Sequence, residues 1–211
     1  MEFFDRLEAI RKRWNVLEHP FYERWSRGEL SPGELAFYAG EYRHAVVALA
    51  EALESADDAA LAEHGAEERG HVALWDAFAA AAGAETARPP RPETEACREA
   101  FTAGVDPLET LATTYAIESA QPAISGTKLH GLITHYGFEE GPATEYFSLH
   151  AERDVEHAEE SRLLIEERIA DADLERLLAL AEAALRGNWE LLDGVERARL
   201  GEGPDTASPP V

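Results

Sequence analysis

The stretch Tyr146-Phe-Ser-Leu-His150-Ala-Glu-Arg-Asp154-Val-Glu-His157 decides how this chain is read. On a helix, at 100° per residue, positions 150, 154 and 157 fall within roughly 60° of one another. The same face carries Ala143, Tyr146 and Phe147 before the triad and Leu164 after it. Three titratable side chains therefore interrupt a stripe built for burial. Burying them unpaired is costly. A metal ion is a fitting partner, because neutral imidazole nitrogens and carboxylate oxygens are donors that first-row metals accept. The competing reading is a solvated helix that happens to carry two histidines. Glu152, Glu156, Glu159 and Glu160 show that the opposite face is solvated, and buried polar groups often satisfy one another. The other helices decide between the two.

Working outward from that helix, which runs from about 142 to 169, nearly every segment reads as helix. Residues 2–14 place apolar side chains at helical spacing, and His19-Pro20 opens a short helix to about Arg27. Ser31-Pro32-Gly33-Glu34 is a capping box with proline in the first turn, starting a long helix to about Ala56. Further helices are expected at 57–82, 93–103, 107–121, 122–137 and 172–199. Gly83 to Glu93, with Pro89, Pro90 and Pro92, is the one clear linker inside the fold. No strand-type alternation and no internal repeat is present. The expected fold is all-α: a helical bundle of about seven to eight helices over residues 1–200, followed by a disordered tail at 201–211.

The chain of 211 residues is long enough for a substantial core. Its 42 acidic residues outnumber 19 basic ones, for a net charge of −23. Such a field disfavours nucleic acid and anionic membranes as partners. The single cysteine, Cys97, excludes an intramolecular disulfide framework. With no signal-peptide pattern and no long apolar run, a soluble cytoplasmic protein is expected. A homodimer is compatible with a helical domain of this size.

A half-site of three ligands needs donors from facing helices. Helix 57–82 offers Glu67-Glu68-Arg69-Gly70-His71, with His64 before it and Leu74, Trp75 and Phe78 after it. Glu67 to His71 is an i, i+4 pair and Glu68 to His71 an i, i+3 pair. Either spacing puts a carboxylate and an imidazole on one metal, as in the Glu-x-x-His element of carboxylate-bridged di-iron bundles. An acidic, solvent-facing helix is the plainer reading, and it accounts for Glu63 and one of the two adjacent glutamates. Helix 107–121 adds Glu118, alone among Leu108, Leu111 and Tyr115. A lone buried glutamate is more often a hydrogen-bonded structural residue. Together the three helices supply His71, His150, His157, Glu118, Asp154 and either Glu67 or Glu68. Three carboxylates cancel most of the charge of two divalent ions. The absence of thiolates favours iron or manganese over structural zinc.

These residues give the chain its likeness to a known family. It resembles the heme-oxygenase-like di-metal oxidases and oxygenases, and most of all the 4-aminobenzoate synthase type represented by the chlamydial protein associating with death domains. The likeness runs from about Leu17 to Glu166. It is carried by Leu17-Glu18-His19-Pro20-Phe21-Tyr22 with Trp25, by Glu67-Glu68 with Gly70, His71, Leu74 and Trp75, and by Tyr115-Ala-Ile-Glu118-Ser119 with Lys128. It continues through Gly131-Leu132 and Tyr136-Gly137-Phe138 to Tyr146-Phe147 and His150-x3-Asp154-x2-His157. The resemblance implies a heme-oxygenase-like fold in which Glu67, His71, Glu118, His150, Asp154 and His157 hold two iron ions, or one manganese and one iron. Dioxygen would be the co-substrate, and an external reductant is implied. It also implies that Tyr22 is the self-sacrificed source of the aromatic ring and that Lys128 supplies the amino nitrogen. The substrate is then an internal tyrosine, or else a small molecule. Relatives separate the first glutamate and histidine by six residues, whereas Glu67 and His71 have three between them, so Glu68 or His64 could take that place. The segment Glu41-Tyr42-Arg43-His44 also departs from the family pattern, and it is expected to line the substrate pocket.

Physical arguments bear on the last two residues. Lys128 is one of only two lysines beside seventeen arginines. A buried lysine can deprotonate and act as a nucleophile, which arginine cannot. The plainer alternatives are a snorkelling amine for Lys128 and a core ring for Tyr22, beside Phe21 and Trp25. At the level of the whole chain, two other functions compete. One is an acidic helical binding protein with a structural or vestigial metal site. The other is a thiamine-degrading hydrolase of the same broad fold, which needs a nucleophilic cysteine in the cavity. Cys97, among Glu93, Glu95, Arg98 and Glu99, suits a surface helix instead.

Overall fold

The computed structural model describes residues 2–201. Apart from Gly201, the tail expected at 201–211 lies outside the described residues. Nine α-helices and one 3₁₀ turn occur among the described residues, with no strand. They are α1 (Glu2–Arg13), a turn at Val16–Glu18, α2 (Pro20–Ser26), α3 (Pro32–Ser55), α4 (Ala59–Ala81), α5 (Pro92–Phe101), α6 (Pro107–Glu118), α7 (Gln121–His135), α8 (Glu145–Arg168) and α9 (Leu174–Arg199). The expected boundaries hold to within about three residues at each end.

Local chemistry starts these helices where the sequence implied. The Ser31 hydroxyl accepts from the Glu34 N–H while the Glu34 carboxylate accepts from the Ser31 N–H, with Pro32 in the first turn of α3. The Asp58 carboxylate accepts from the N–H groups of Ala60 and Leu61 to open α4. His19 caps α2: its Nδ1 accepts from the Phe21 N–H, and its Nε2 donates to Asp193 on α9. Both ring nitrogens of His19 are thus used within the protein.

Long helices α3 and α4 form an antiparallel hairpin. Around it, α5 and α9 pack on α3, α6 packs on α8 and α9, and α7 packs on α8. Two glycines set the close approaches. A Cβ on Gly65 of α4 would lie 2.6 Å from the backbone nitrogen of Glu54 on α3, and one on Gly131 of α7 would collide with the Trp25 indole. Gly65 matters most, since it fixes which face of α4 turns inward.

Two expectations are corrected here. Cys97 is fully buried between α5 and α9, beside Gly187, rather than on a surface helix. Burial raises its thiol pKa well above the ordinary range, so it supplies no thiolate nucleophile. In the segment 41–44 both Glu41 and Tyr42 are buried, and only Tyr42 joins the aromatic core. Glu41 instead accepts hydrogen bonds from the Arg91 N–H and the Thr94 hydroxyl, while His44 bonds the Arg88 carbonyl, and together they fasten the proline linker to α3. Arg43 pairs with Asp76 on α4.

Candidate metal centre

Helices α4, α6 and α8 direct seven donor side chains into one buried space. From α4 come His64, Glu68 and His71, from α6 its last residue Glu118, and from α8 His150, Asp154 and His157. Donor atoms of His64, Glu68, Glu118 and His157 lie within 4.8 Å of one another, and so do those of Glu68, His71 and His150. Glu68 belongs to both groups. One of its oxygens lies 2.9 Å from His71 Nδ1 and the other 3.6 Å from His150 Nε2. On the other side His64 Nε2 is 2.9 Å from a Glu118 oxygen and 4.0 Å from Glu68. Asp154 adjoins this group, with Oδ1 3.8 Å from His157 Nδ1.

The fit to metal ions can be judged from buried donor atoms that make no protein hydrogen bond. Both oxygens of Glu118, both of Asp154, His64 Nε2, His150 Nε2 and His157 Nδ1 are buried without a hydrogen bond. Unmet buried polar atoms are rare in native proteins, and here seven of them converge. The proton on His150 is placed for coordination: Nδ1–H donates to the Tyr146 carbonyl at 2.7 Å, leaving the Nε2 lone pair facing the cluster. The Tyr146 ring stacks on the same imidazole at 4.0 Å.

Electrostatics give the same answer. Burial, reinforced by the neighbouring Glu68 and Glu67 charges, raises the Glu118 carboxyl far above its ordinary pKa. Burial, with Glu118 next in importance, raises Asp154 to about 9. Glu68 goes the other way: burial opposes its ionisation, but hydrogen bonds with His150 and His71 prevail and hold it below the usual range. Desolvation keeps His64 and His157 below their ordinary value, so both are neutral donors near pH 7. The site carries more acid than its own histidines neutralise, and divalent cations would supply the missing charge. Oxygen and imidazole donors without sulfur suit iron or manganese. The residues present fit such ions.

The structure brings together His71, Glu118, His150, Asp154 and His157 from the set implied by the sequence. It places Glu67 at the rim instead. Glu67 is half-buried, accepts from Arg153 at 3.0 Å, and keeps its second oxygen 3.4 Å from His157 Nε2. Glu68 and His64, the two alternatives at this position, both face the cluster.

A second group of residues surrounds Lys128. Its Nζ is fully buried without a hydrogen-bond partner. Five rings enclose it: Tyr42 at 4.4 Å to the centroid, Trp75 at 5.5 Å, Tyr38 and Phe147 at 5.7 Å, and Tyr22 at 5.8 Å. Desolvation lowers the ammonium pKa to about 7. The hydroxyl of Tyr22 lies 2.9 Å from that of Tyr38, and burial raises both phenols well above their ordinary range. Sequence reasoning found Tyr22 and Lys128, reached Tyr42 only as part of the segment 41–44, and missed Tyr38. Their i, i+4 spacing on α3, one helix from Trp75, was the available signal.

An all-helical bundle with histidines and carboxylates converging from facing helices defines the class of helical non-heme metal proteins. This chain belongs to the iron-containing redox enzyme family, whose model matches residues 36–189. It is 32% identical to a 4-aminobenzoate synthase of Chlamydia muridarum, over 92% of this chain and 89% of that protein. It is 31% identical to a 4-aminobenzoate synthase of Nitrosomonas europaea, over 92% of this chain and 90% of that one. Among solved structures, a domain of unknown function with a heme oxygenase-like fold from Shewanella denitrificans superimposes with a TM-score of 0.74 at 20% identity, covering 97% of this chain and 96% of that one. A TenA homologue from P. horikoshii gives 0.72 at 17% identity, covering 94% and 99%. These two show the heme-oxygenase-like fold. No helix among the described residues is long and apolar enough to cross a membrane.

Proposed function

We propose that this chain is a dioxygen-activating, non-heme di-metal oxidase that forms 4-aminobenzoate from its own Tyr22, with nitrogen supplied by Lys128. The observation that carries the metal half of this reading is Glu68, which belongs to both donor groups: its oxygens lie 2.9 Å from His71 Nδ1 and 3.6 Å from His150 Nε2 on one side, and 4.0 Å from His64 Nε2 on the other. His64, Glu118, Asp154 and His157 would hold one ion, His71 and His150 the other, and Glu68 would join them. Two iron ions, or one manganese and one iron, would supply the dioxygen activation needed to cut the aliphatic part of the tyrosine side chain and leave its ring intact, with an external reductant. The names of the relatives supply the product.

The chain's own residues account for the remainder. Tyr22 is held from three sides: Tyr38 fixes its hydroxyl, the His19 cap positions the helix that carries it, and burial excludes water. A neutral Lys128 amine has a free lone pair, and the phenols among the rings around it are raised above their ordinary range by burial, which disfavours proton transfer to it. The amine needs only to be unprotonated to act as a nitrogen nucleophile, and a pKa near 7 makes that form abundant at neutral pH. Tyr22 and Lys128 already lie in one box.

Metal content of the purified chain, loaded anaerobically with ferrous or manganous ions, tests the centre. About two equivalents per chain, lost in Asp154→Ala and in His157→Ala with the fold intact, is the expected result. Failure to bind either ion returns the chain to the reading as an acidic helical binding protein. Tyr22→Phe tests the source of the ring: with metal binding retained, product formation should stop, and product that persists sinks the self-sacrificing route.

A further inference from the structure

Helix α7 carries a polar stripe of which the proposed function uses only Lys128. Gln121, Ser125 and Lys128 stand at i, i+4 and i+7, on one face of the helix. All three are buried, and Gln121 Oε1, Ser125 Oγ and Lys128 Nζ have no protein hydrogen-bond partner. Leucine or alanine would fill these positions without leaving buried polar atoms unmet. A helix that keeps three such atoms in line therefore points to something polar that runs along them.

Both ends of the stripe are defined. At the inner end lies the Lys128 amine in its box of rings, with the phenols of Tyr22, Tyr38 and Tyr42 as its titratable neighbours and no ion-pair partner among the described residues. At the outer end a cleft of about 240 Å³ opens between α1, α6, α7 and α9, lined in part by Ser119, Ala120, Ala123 and Asn188. The Asn188 side chain also faces the Tyr42 hydroxyl. Gln121 Nε2 donates to that hydroxyl at 3.4 Å. Tyr42 thus touches the cleft side through Asn188, the stripe through Gln121, and the amine through its ring.

We propose that Asn188, Tyr42, Gln121 and Ser125 form a hydrated proton path joining this surface cleft to the Lys128 amine. Side chains three or four residues apart on a helix are separated by about 5–6 Å, a gap that one water bonded to two polar groups bridges. The path answers a physical need: an amine enclosed by aromatic rings cannot trade protons with bulk water across them. Its purpose rests on the proposed role of Lys128 as nitrogen donor, but its existence can be tested without turnover.

The chain has two lysines, so labelling with ¹⁵N-lysine gives two side-chain signals. Lys12, whose side chain is 76% exposed, serves as the internal control. Solvent hydrogen exchange at Lys128 Nζ is measured by NMR on the full chain, in the unaltered protein and in Ser125→Ala, Gln121→Leu and Asn188→Leu. Exchange at Lys128 should slow by about tenfold in each, with Lys12 unchanged and the Lys128 shift still that of a buried amine. Lys128 exchange equal to that of the unaltered protein in all three variants overturns the proposal. Ser125→Ala removes a single oxygen, so it decides alone if the leucine variants fail to fold. A chain that makes no 4-aminobenzoate, yet shows the slowed exchange, refutes the proposed function and keeps the path.

Discussion

Lys128 illustrates what a single buried side chain does to the balance of the whole protein. In an unfolded chain its ammonium would titrate near 10.5, whereas in the aromatic box it titrates at about 7. Between those values the unfolded state binds more protons than the folded one, so stability rises with pH across that window. The penalty is complete below pH 7, where both states are charged, and gone above about 10.5. Three and a half units correspond to a penalty on the order of 5 kcal/mol. Lys128→Met, an unbranched apolar replacement, should therefore stabilise the chain by several kcal/mol at pH 7, and the gain should shrink towards pH 10. Urea unfolding of both proteins at the two pH values checks this. A gain independent of pH would show that the amine is not carrying the penalty. At the metal centre, Glu68→Ala should abolish or halve metal binding, since both donor groups lose a shared carboxylate. Glu67→Ala should leave stoichiometry intact, and equal losses in the two variants would count against the assignment. Elemental analysis of both variants separates the outcomes.

At the scale of the helix, the choice between Glu67 and Glu68 is a matter of rotation. Leu61, Gly65, Glu68, Trp75 and Ala79 form the buried stripe of α4, and the one nearly one residue away, through Glu67 and Leu74, lies at its edge. Hydrophobic periodicity resolved the helix and located a carboxylate–histidine pair, but it could not resolve a 100° turn between adjacent glutamates. Gly65 settles it, because only a residue without Cβ lets α4 touch the α3 backbone there. That signal lay in the sequence as a lone glycine in a helix, and its meaning depends on a partner helix that periodicity does not name. The α8 triad was legible because three ligand-type residues at 150, 154 and 157 overdetermine the face. Cys97 was misplaced for the opposite reason: charged neighbours along the chain mask a face that packs on α9, where Glu93 pairs with Arg197 and Cys97 and Ala100 lie against Gly187. Gly65→Ala should destabilise the protein by roughly 1–3 kcal/mol and weaken metal binding by moving Glu68. Gly70→Ala, on the same helix with open space around it, should instead stabilise by about 0.4–1 kcal/mol. Thermal melts with and without metal distinguish loss of stability from loss of alignment, and identical effects of the two substitutions would refute the close-contact argument.

For the whole molecule, net charge and the buried acids act on the same ligand. A charge of −23 draws cations towards the protein, an attraction that salt screens over a Debye length of about 8 Å at physiological ionic strength. A cleft of about 310 Å³ reaches the cluster from solvent, lined by His64, Glu67, Arg153 and His157 among others. Once inside, a divalent ion competes with protons rather than with protein ligands. Asp154, at about 9, holds a proton at pH 7, and burial raises Glu118 well above its ordinary value, whereas His64 and His157 are lowered and neutral. Metal binding must therefore release protons from carboxyls, and affinity should rise as pH increases from 6 towards 9. Calorimetric titration with manganous ion, in buffers of different ionisation enthalpy, should report release of about one proton or more at pH 7. The same ion should raise the melting temperature, with about 4 kcal/mol of stabilisation at a thousandfold excess over the dissociation constant. Asp154→Ala should lose most of that gain and release fewer protons. Binding without proton release would mean that Asp154 and Glu118 are already ionised, and that the raised carboxyls do not gate the ion.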